Sequence, residues 1–236
     1  MTHMSFLDYL MPKTLYKTWS AHSGEVKIFR MFGVTKLIFG GGVQSLKHDS
    51  PGIFRQYWGE AARLITHNVK QAKSILILGL GGGTIQYLLA KAYPGVKITS
   101  VEIDPAVIDA AKKYFDLDEI SNHIVVQADC FDLLENPQAF NIYEKFDVIL
   151  VDVNEKGLLS KVPAKTNYLK ELSNLLASGG FIAFNFIVSQ KDNSKGGILL
   201  DLVRTSFPHV SVLKVKNPAF ADNWIFYDKS KTASVS

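Results

Sequence analysis

The sequence predicts an α/β protein with a seven-stranded, mostly parallel, doubly wound sheet and a small N-terminal β-hairpin lead-in. Three observations support this prediction. Apolar strand segments alternate with helical runs after residue 73, a glycine-rich turn separates the first of these strands from its helix, and glycines break the first 45 residues into short apolar runs. With 236 residues, 47% of them hydrophobic, the chain can bury one complete core. We therefore expect one main domain.

The lead-in and the helix after it come first along the chain. The segments EVKIFRMF, TKLIF and GVQS are separated by Gly33 and by the glycines at 40–42, which predicts hairpins. A helix is then expected from Pro51, with Phe54 and Trp58 in packing positions beside its apolar face. That face contains Ile53, Tyr57, Ala61 and Leu64.

The core strands follow in the order SILIL, KITSVE, HIVVQ, FDVILVD, GFIAFNF, VSVLKV and WIFY. Apolar strands separated by helices predict a parallel sheet covered on both faces. A short connection between the last two strands is typical of the class I methyltransferase variant of the Rossmann-like fold. The expected division is a lead-in at residues 1–50, a core domain at 51–228 and a disordered tail at 229–236. Ligands of such sheets bind beyond the carboxyl ends of the strands.

Charge and cysteine content limit the functional classes. The net charge is +4, but residues 74–160 hold 13 Asp/Glu against 6 Lys/Arg, whereas both flanking segments are basic. The basic residues are scattered, which is typical of solvated faces and disfavours nucleic-acid binding. The single cysteine fits a reducing compartment, and neither a leader nor a membrane span is evident, so we predict a cytoplasmic protein. The histidines lack metal-ligand spacing, and we expect no metal.

The glycine turn and the next strand end predict a nucleotide-like ligand. Gly79, Gly81 and Gly83 let the backbone approach a ligand at a helix N-terminus, where free N–H groups favour an anionic group. A dinucleotide fingerprint would place glycine where Thr84 stands, which disfavours NAD. Glu102 ends the second core strand, 19 residues after Gly83, and a carboxylate there can accept hydrogen bonds from both ribose hydroxyls.

The third core strand leads to Asp129. In a nucleoside site this acid would accept the adenine amino group, Ile103 would pack against the ring, and Cys130 would form part of the wall. The alternative for Asp129 is a helix N-cap, and both roles are compatible.

The fourth core strand, FDVILVDVNEKG, carries the candidate catalytic residue. Asp152 emerges at its carboxyl end, and Glu155 follows in the loop. Such a pair can bind a cationic amine or take a proton from it. A strand-end aspartate that only caps loop amides is the alternative.

These segments together carry a family resemblance. VQS, SPGIFRQYW, ILILGLGGGT, VEIDP, FDVILVD and LASGGFIAFN occur in the order seen in the spermidine synthase family of polyamine aminopropyltransferases. The chain most closely resembles the small bacterial spermidine-synthase-like proteins, from about Lys27 to Tyr227. Ile77 stands where many ordinary methyltransferases carry an acid, which agrees with this branch.

The resemblance has two departures. True aminopropyltransferases share GGGDGG, whose aspartate lies near the amine of decarboxylated S-adenosylmethionine and would repel the carboxylate of the ordinary cofactor. The turn GLGGGT has no acid, so S-adenosylmethionine is expected. Gly82→Asp should shift the preference toward the decarboxylated form, unless Gly82 needs a positive φ, in which case the turn would distort and both ligands would be lost. The family loop DSSDP reads DVNEK here, with Asp152 retained and Glu155 in place of the second aspartate. This disfavours polyamine synthesis.

Three functions remain open from the sequence. The first is a methyltransferase on a spermidine synthase scaffold, in which Asp152 orients a small-molecule acceptor or removes its proton. The second is an aminopropyltransferase using decarboxylated S-adenosylmethionine, in which Asp152 deprotonates an amine and Glu155 holds its distal ammonium. The third is a nucleoside-binding protein without chemistry.

The resemblance also implies roles for the lead-in. It would cover the mouth of the active site and help to build a homodimer, which makes Gln44 and Tyr57 candidates for the acceptor pocket. A hairpin amide and a core-facing helix aromatic are the alternatives for these two residues.

Overall fold

The computed structural model describes residues 11–153, 167–217 and 221–229, and it confirms the predicted fold class. A four-stranded antiparallel sheet precedes a seven-stranded sheet. The strands of the first sheet are β1 (Lys13–Ser20), β2 (Gly24–Met31), β3 (Val34–Phe39) and β4 (Gly42–Leu46). Those of the second are β5 (Ser74–Leu78), β6 (Lys97–Glu102), β7 (His123–Gln127), β8 (Phe146–Val151), β9 (Leu176–Ser189), β10 (Ser211–Val215) and β11 (Ala221–Lys229).

The seven-stranded sheet has the order β10-β11-β9-β8-β5-β6-β7. The five strands from β9 to β7 are parallel, whereas β11 pairs antiparallel to β9 and β10 pairs antiparallel to β11. The strand order reverses beside β5, and the carboxyl ends of β5, β6 and β8 lie next to one another there. This is where a ligand of a doubly wound sheet is expected.

Helices cover both faces of this sheet. They are α1 (Tyr57–Asn68), α2 (Thr84–Ala92), α3 (Pro105–Tyr114), α4 (Cys130–Glu135), α5 (Tyr168–Leu175) and α6 (Ser194–Arg204). Ile75 and Ile77 of β5 pack in one cluster with α1 and α2, and Leu76 and Leu78 pack in another with α4, α5 and α6. All five residues of β5 are buried, because both faces of the strand are covered.

The N-terminal sheet packs one face against α3. Val26, Ile28 and Leu37 form a cluster with Val107 and Phe115, and each is almost completely buried. The predicted hairpins therefore form one sheet that lies against the core.

The structure adds one strand and corrects two local predictions. Strand β1 was not predicted, and the helix expected from Pro51 is interrupted: Ile53–Arg55 form a short 3-10 helix, Gln56 is extended, and α1 begins at Tyr57. The interruption turns Phe54 outward, where 55% of its surface is exposed, so its predicted packing role is wrong. A Cβ on Gly59 would overlap the backbone of Ile53 and Phe54, which shows how closely the 3-10 helix approaches α1.

The C-terminal end of the core domain lies in β11, the last strand that the structure describes. Strand β11 includes Lys229, one residue beyond the expected end of the core domain, and residues 230–236 lie outside the described residues. The proposed domain boundaries stay predictions. No helix in the described parts of the chain is both long and apolar enough to cross a bilayer.

Candidate functional site

The turn from Gly79 to Gly83 joins β5 to α2 at the carboxyl edge of the sheet. Gly79 donates its N–H to the carbonyl of Val101 (2.8 Å), and Asp152 donates its N–H to the carbonyl of Leu78 (2.8 Å). Gly79 has a φ of +99°, and a Cβ there would overlap the carbonyl oxygen of Asp152. Glycine is therefore required where the turn passes the end of β8.

The backbone amides of the turn are mostly engaged within the protein. Leu80 donates to Oε2 of Glu102 (3.2 Å), Gly82 donates to Oγ of Ser45 (2.8 Å), and Gly83 donates to the carbonyl of Leu80 (3.0 Å). Between Gly79 and Gly83, the amide of Gly81 alone has no acceptor among the described residues. The first turn of α2 adds the amides that a helix N-terminus leaves unpaired. The turn thus offers fewer donors to a ligand than its glycine content suggests.

Gly82 lies against the N-terminal sheet and α3 rather than in open space. A Cβ at this position would lie 2.7 Å from the Phe115 ring and 2.9 Å from the Cβ of Ser45. The expectation that Gly82→Asp would simply add a charge to the turn therefore needs correction. The substitution would push apart Phe115 and Ser45 before its carboxylate could reach a ligand.

Glu102 lies at the carboxyl end of β6, next to the turn. Its Oε1 accepts the amide of Asp104 (3.0 Å), and its Oε2 accepts the amide of Leu80. Burial raises the pKa of the Glu102 carboxyl, and hydrogen bonds from Asp104 and Leu80 partly oppose the increase. Each carboxylate oxygen retains further acceptor capacity, which ribose hydroxyls can use.

The adenine side predicted from the sequence lies along the ends of β6 and β7. Ala128 donates its N–H to the carbonyl of Glu102 (3.0 Å), which brings Asp129 close to the end of β6. Asp129 caps α4, because its Oδ1 accepts the amide of Phe131 (2.9 Å). Ile103 is 38% exposed, whereas Cys130 is buried in an apolar cluster.

Asp152 lies at the centre of a polar network on the face of the sheet that α1 covers. Its Oδ1 accepts a hydrogen bond from Nδ2 of Asn185 on β9 (2.7 Å), and Oδ1 of Asn185 accepts one from Nδ2 of Asn223 on β11 (3.0 Å). Desolvation by burial raises the pKa of Asp152, and the contacts with Asn185 and Tyr57 partly oppose this increase.

Tyr57 brings its hydroxyl to Asp152 from the first turn of α1. The side chain is buried, and its hydroxyl makes no well-formed hydrogen bond with any described residue. Burial raises the pKa of Tyr57 well above its usual value, and the neighbouring Asp152 carboxylate adds to the increase. A buried hydroxyl beside a carboxylate without a well-formed bond between them leaves both groups able to bind another polar atom.

The other predicted acceptor residues are not brought to Asp152 by the described contacts. Nε2 of Gln44 donates to the carbonyl of Phe39 (2.9 Å), so its side chain closes its own hairpin. Glu155 lies outside the described residues. Within residues 11–153, 167–217 and 221–229, no group of three His, Cys, Asp or Glu side chains could hold a metal ion.

Three residues of this edge have no functional role assigned from the sequence. Ser45 belongs to the VQS segment, but its contact with Gly82 depends on how the N-terminal sheet docks. Asn223 has no local sequence signal, since only the pairing of β11 with β9 brings it to Asn185. The sequence places Asn185 near a late strand, where it could line the pocket, but gives it no specific functional role.

The comparison with known families agrees with the resemblance seen in the sequence. Residues 61–236 match the spermine/spermidine synthase domain family, and the chain belongs to this family. Its predicted membership is therefore confirmed.

Individual relatives divide between two kinds of transferase. The chain is 31% identical over 150 residues to the eEF1A lysine and N-terminal methyltransferase homolog of Drosophila melanogaster, covering 61% of this chain and 22% of the relative. It is 29% identical over 203 residues to a probable polyamine aminopropyl transferase of Bifidobacterium longum, covering 85% of this chain and 43% of that protein. The chain thus spans less than half the length of these relatives. Both are transferases by name, which confirms the predicted class of enzyme at the level of the family.

Solved structures support the fold. A spermidine synthase in complex with the transition state analogue AdoDATO has a TM-score of 0.72 and 18% identity, covering 94% of this chain and 75% of its own. The spermidine synthase of Thermotoga maritima has a TM-score of 0.70 and 17% identity, and the match covers 95% of this chain and 75% of that one.

Proposed function

We propose that the chain is an S-adenosylmethionine-dependent methyltransferase whose acceptor is an amine. The observation that carries this choice is the turn at Gly82, which has no acid and no room for one between Phe115 and Ser45. An acid at this turn is what the resemblance associates with decarboxylated S-adenosylmethionine. A turn without that charge accommodates a ligand that keeps its carboxylate.

The residues at the carboxyl edge fit a nucleoside cofactor. The unpartnered amide of Gly81 and the N-terminus of α2 suit an anionic group, and Glu102 suits the ribose hydroxyls. Ile103 is exposed enough to pack against a base, and Asp129 lies at the adjoining strand end. When bound, S-adenosylmethionine supplies an electrophilic methyl group on a sulfonium.

Asp152 is proposed to orient the acceptor and to accept its proton. A protonated amine is not nucleophilic, and a neighbouring carboxylate can both attract the ammonium and remove one of its hydrogens. Burial raises the pKa of Asp152, which makes the carboxylate a better proton acceptor than an exposed aspartate. The Tyr57 hydroxyl lies beside Asp152 and would contact the same amine.

An amine is the acceptor class that the relatives' names have in common. Lysine side chains and protein N-termini are amines, as are polyamines, and the two kinds of relative are named for these groups. A small-molecule amine agrees with the sequence prediction. The homodimer and the cytoplasmic location stay predictions.

Aminopropyl transfer is the second candidate. It is favoured by the coverage of the Bifidobacterium longum relative, which matches 85% of this chain, and by the retention of Asp152. In this reaction Asp152 would deprotonate the attacking amine in the same way, and Glu155 would bind the distal ammonium.

Calorimetric titration with S-adenosylmethionine and with its decarboxylated form separates the two candidates. We expect S-adenosylmethionine to bind at least as tightly as the decarboxylated form, and the variant Glu102→Gln to weaken both. Tight binding of the decarboxylated form alone would overturn the proposal of methyl transfer. Failure of both ligands to bind the folded wild type would remove the nucleoside site as well.

A further inference from the structure

Asn223, Asn185 and Asp152 form a line of three side chains across neighbouring strands. Asn223 donates through Nδ2 to Oδ1 of Asn185 (3.0 Å), and Asn185 donates through Nδ2 to Oδ1 of Asp152 (2.7 Å). The three residues are supplied by β11, β9 and the end of β8, which are adjacent in the sheet. Asn185 is 7% exposed, so solvent competes little for its amide.

The pairing of β9 and β11 explains why the two amides meet. Asn223 is the antiparallel partner of Ile187, and Asn185 is the partner of Ile225. Residues two apart on a strand share a face, so Asn223 and Asn185 are diagonal neighbours on one face of the sheet. The neighbouring residues of this face, Ala183 on β9 and Ile225 on β11, pack in the cluster that contains Tyr57.

The contact with Asn223 determines which end of the Asn185 amide faces Asp152. A carboxamide has an acceptor end and a donor end. Because Asn223 presents an N–H to Asn185, the oxygen of Asn185 is held toward β11, and its NH₂ group is held toward Asp152. If the Asn185 amide reversed, its oxygen would face the carboxylate, which favours the protonated acid.

We propose that Asn223 is a positioning residue for Asp152, acting by holding the Asn185 amide with its donor toward the carboxylate. The inference concerns the charge state of Asp152, and its catalytic consequence rests on the proposed function. An ionised Asp152 is required for proton acceptance. Asn223 would therefore set the lower end of the pH range in which the acceptor amine can be deprotonated.

The surroundings of Asp152 limit other causes of such an effect. From α1 the facing group is the Tyr57 hydroxyl, and from β9 it is the Asn185 amide. Tyr57 is the titratable side chain that contacts Asp152 within the described ranges of the chain. Burial raises the pKa of Asp152, and the Asn185 donor lowers it, so the orientation of this one amide matters.

The direct test is an NMR titration of the Asp152 carboxyl carbon in ¹³C-labelled protein, with the signal assigned by its loss in Asp152→Asn. We expect Asn223→Leu to raise the titration midpoint by about 0.5 pH unit or more, which is the scale of one net hydrogen bond. Asn223→Ala, which adds no bulk, should also raise the titration midpoint of Asp152. Asn174→Leu is the matched control, because Asn174 is exposed on α5.

A double-variant comparison tests whether the effect passes through Asn185. Asn185→Leu alone should raise the midpoint, and adding Asn223→Leu to it should change nothing further. An unchanged midpoint in folded Asn223→Leu and Asn223→Ala would overturn the proposal. The proposal would also be overturned if Asn223→Leu shifted the titration midpoint equally in the wild type and in the Asn185→Leu variant.

Turnover separates this inference from the proposed function. If both are correct, the acid limb of the pH profile of kcat moves upward with the NMR midpoint in the Asn223 variants. If the midpoint moves but methyl transfer does not depend on Asp152, the positioning role stands and the proposed mechanism fails. If methyl transfer requires Asp152 but neither variant moves the midpoint, the mechanism stands and the positioning role fails.

Discussion

Oγ of Ser45 on β4 accepts the backbone N–H of Gly82 in the turn after β5, at 2.8 Å. The adjacent Leu46 carbonyl accepts the hydroxyl of Thr84 at the start of α2 (2.5 Å). Two consecutive residues of the N-terminal sheet thus hold the turn that lies at the candidate cofactor site. The lead-in is therefore part of the structure of this site, in addition to its packing on α3.

Ser45→Ala should destabilise the protein by about 1–3 kcal/mol, because the buried N–H of Gly82 loses its acceptor. Ser50→Ala is a matched control, since Ser50 is also buried but its hydroxyl has no partner among the described residues. The control should be close to neutral. Chemical denaturation of both variants measures the difference, and equal stabilities would show that the Ser45 contact adds nothing.

Glu102→Gln should weaken the binding of methylthioadenosine by about 1.5–3 kcal/mol, since the amide loses acceptor capacity for the ribose hydroxyls. Glutamine keeps one oxygen, which can accept the amide of Leu80 or that of Asp104, and its NH₂ group faces the other amide, so the stability of the variant is measured beside its affinity. Calorimetry measures the affinity, with the exposed Glu119→Gln as the control. Wild-type affinity in Glu102→Gln would place the ribose elsewhere.

The sequence predicts the residues whose position follows from parallel strands. Glu102 and Asp152 each stand at the carboxyl end of an apolar strand, and such ends meet at one edge of the sheet, so the sequence alone places both near the glycine turn. Gly79 follows from the same reasoning. These predictions need only the strand limits and the handedness of the crossovers.

Residues that depend on register or docking could not be predicted in this way. Asn223 reaches Asn185 because β11 returns antiparallel in one register, and a shift by one residue would turn its side chain to the other face. The contact of Ser45 with Gly82 depends on how the N-terminal sheet packs against the seven-stranded sheet. Strand β1 has one buried residue among its eight, Ser20, so it lacks the alternation that reveals a half-buried strand.

Asp152→Asn should reduce methyl transfer by roughly 10²-fold or more while increasing stability at pH 7. Burial raises the pKa of Asp152 above its unfolded value, so the folded state binds the proton more tightly than the unfolded state. Stability then falls as pH rises through the window between the two pKa values, by about 1.4 kcal/mol for each unit of separation.

The stability gain of Asp152→Asn over the wild type should therefore be present at neutral pH. It should disappear when the pH falls below the range in which aspartate ionises in the unfolded chain. Denaturation curves at several pH values measure this difference. A variant that is less stable than the wild type at pH 7 would contradict the desolvation of Asp152, and one that retains full turnover would remove its catalytic role.

His123 at the start of β7 should make the protein sensitive to mild acid. Its Nε2 lies 2.9 Å from Oγ of Ser100, which also accepts Nε2 of Gln86 (3.2 Å). If Ser100 directs its hydroxyl hydrogen to His123, the histidine nitrogen is the acceptor, which requires the neutral ring. Burial lowers the pKa of His123 from 6.5 to about 4, and Asp118 opposes this decrease.

Between pH 4 and pH 6.5, the unfolded state binds more protons at His123 than the folded state does, so the stability of the protein rises with pH. The contribution of His123 to stability is fully present above about pH 6.5. Acidification from pH 7 to pH 4 should cost about 3 kcal/mol through this residue. His123→Gln should remove that part of the pH dependence, whereas His67→Gln, at an exposed position on α1, should retain it. Urea denaturation of the three proteins at pH 7, 6, 5 and 4 measures the slopes, and an identical slope in His123→Gln and the wild type would show that His123 is not held neutral by the fold.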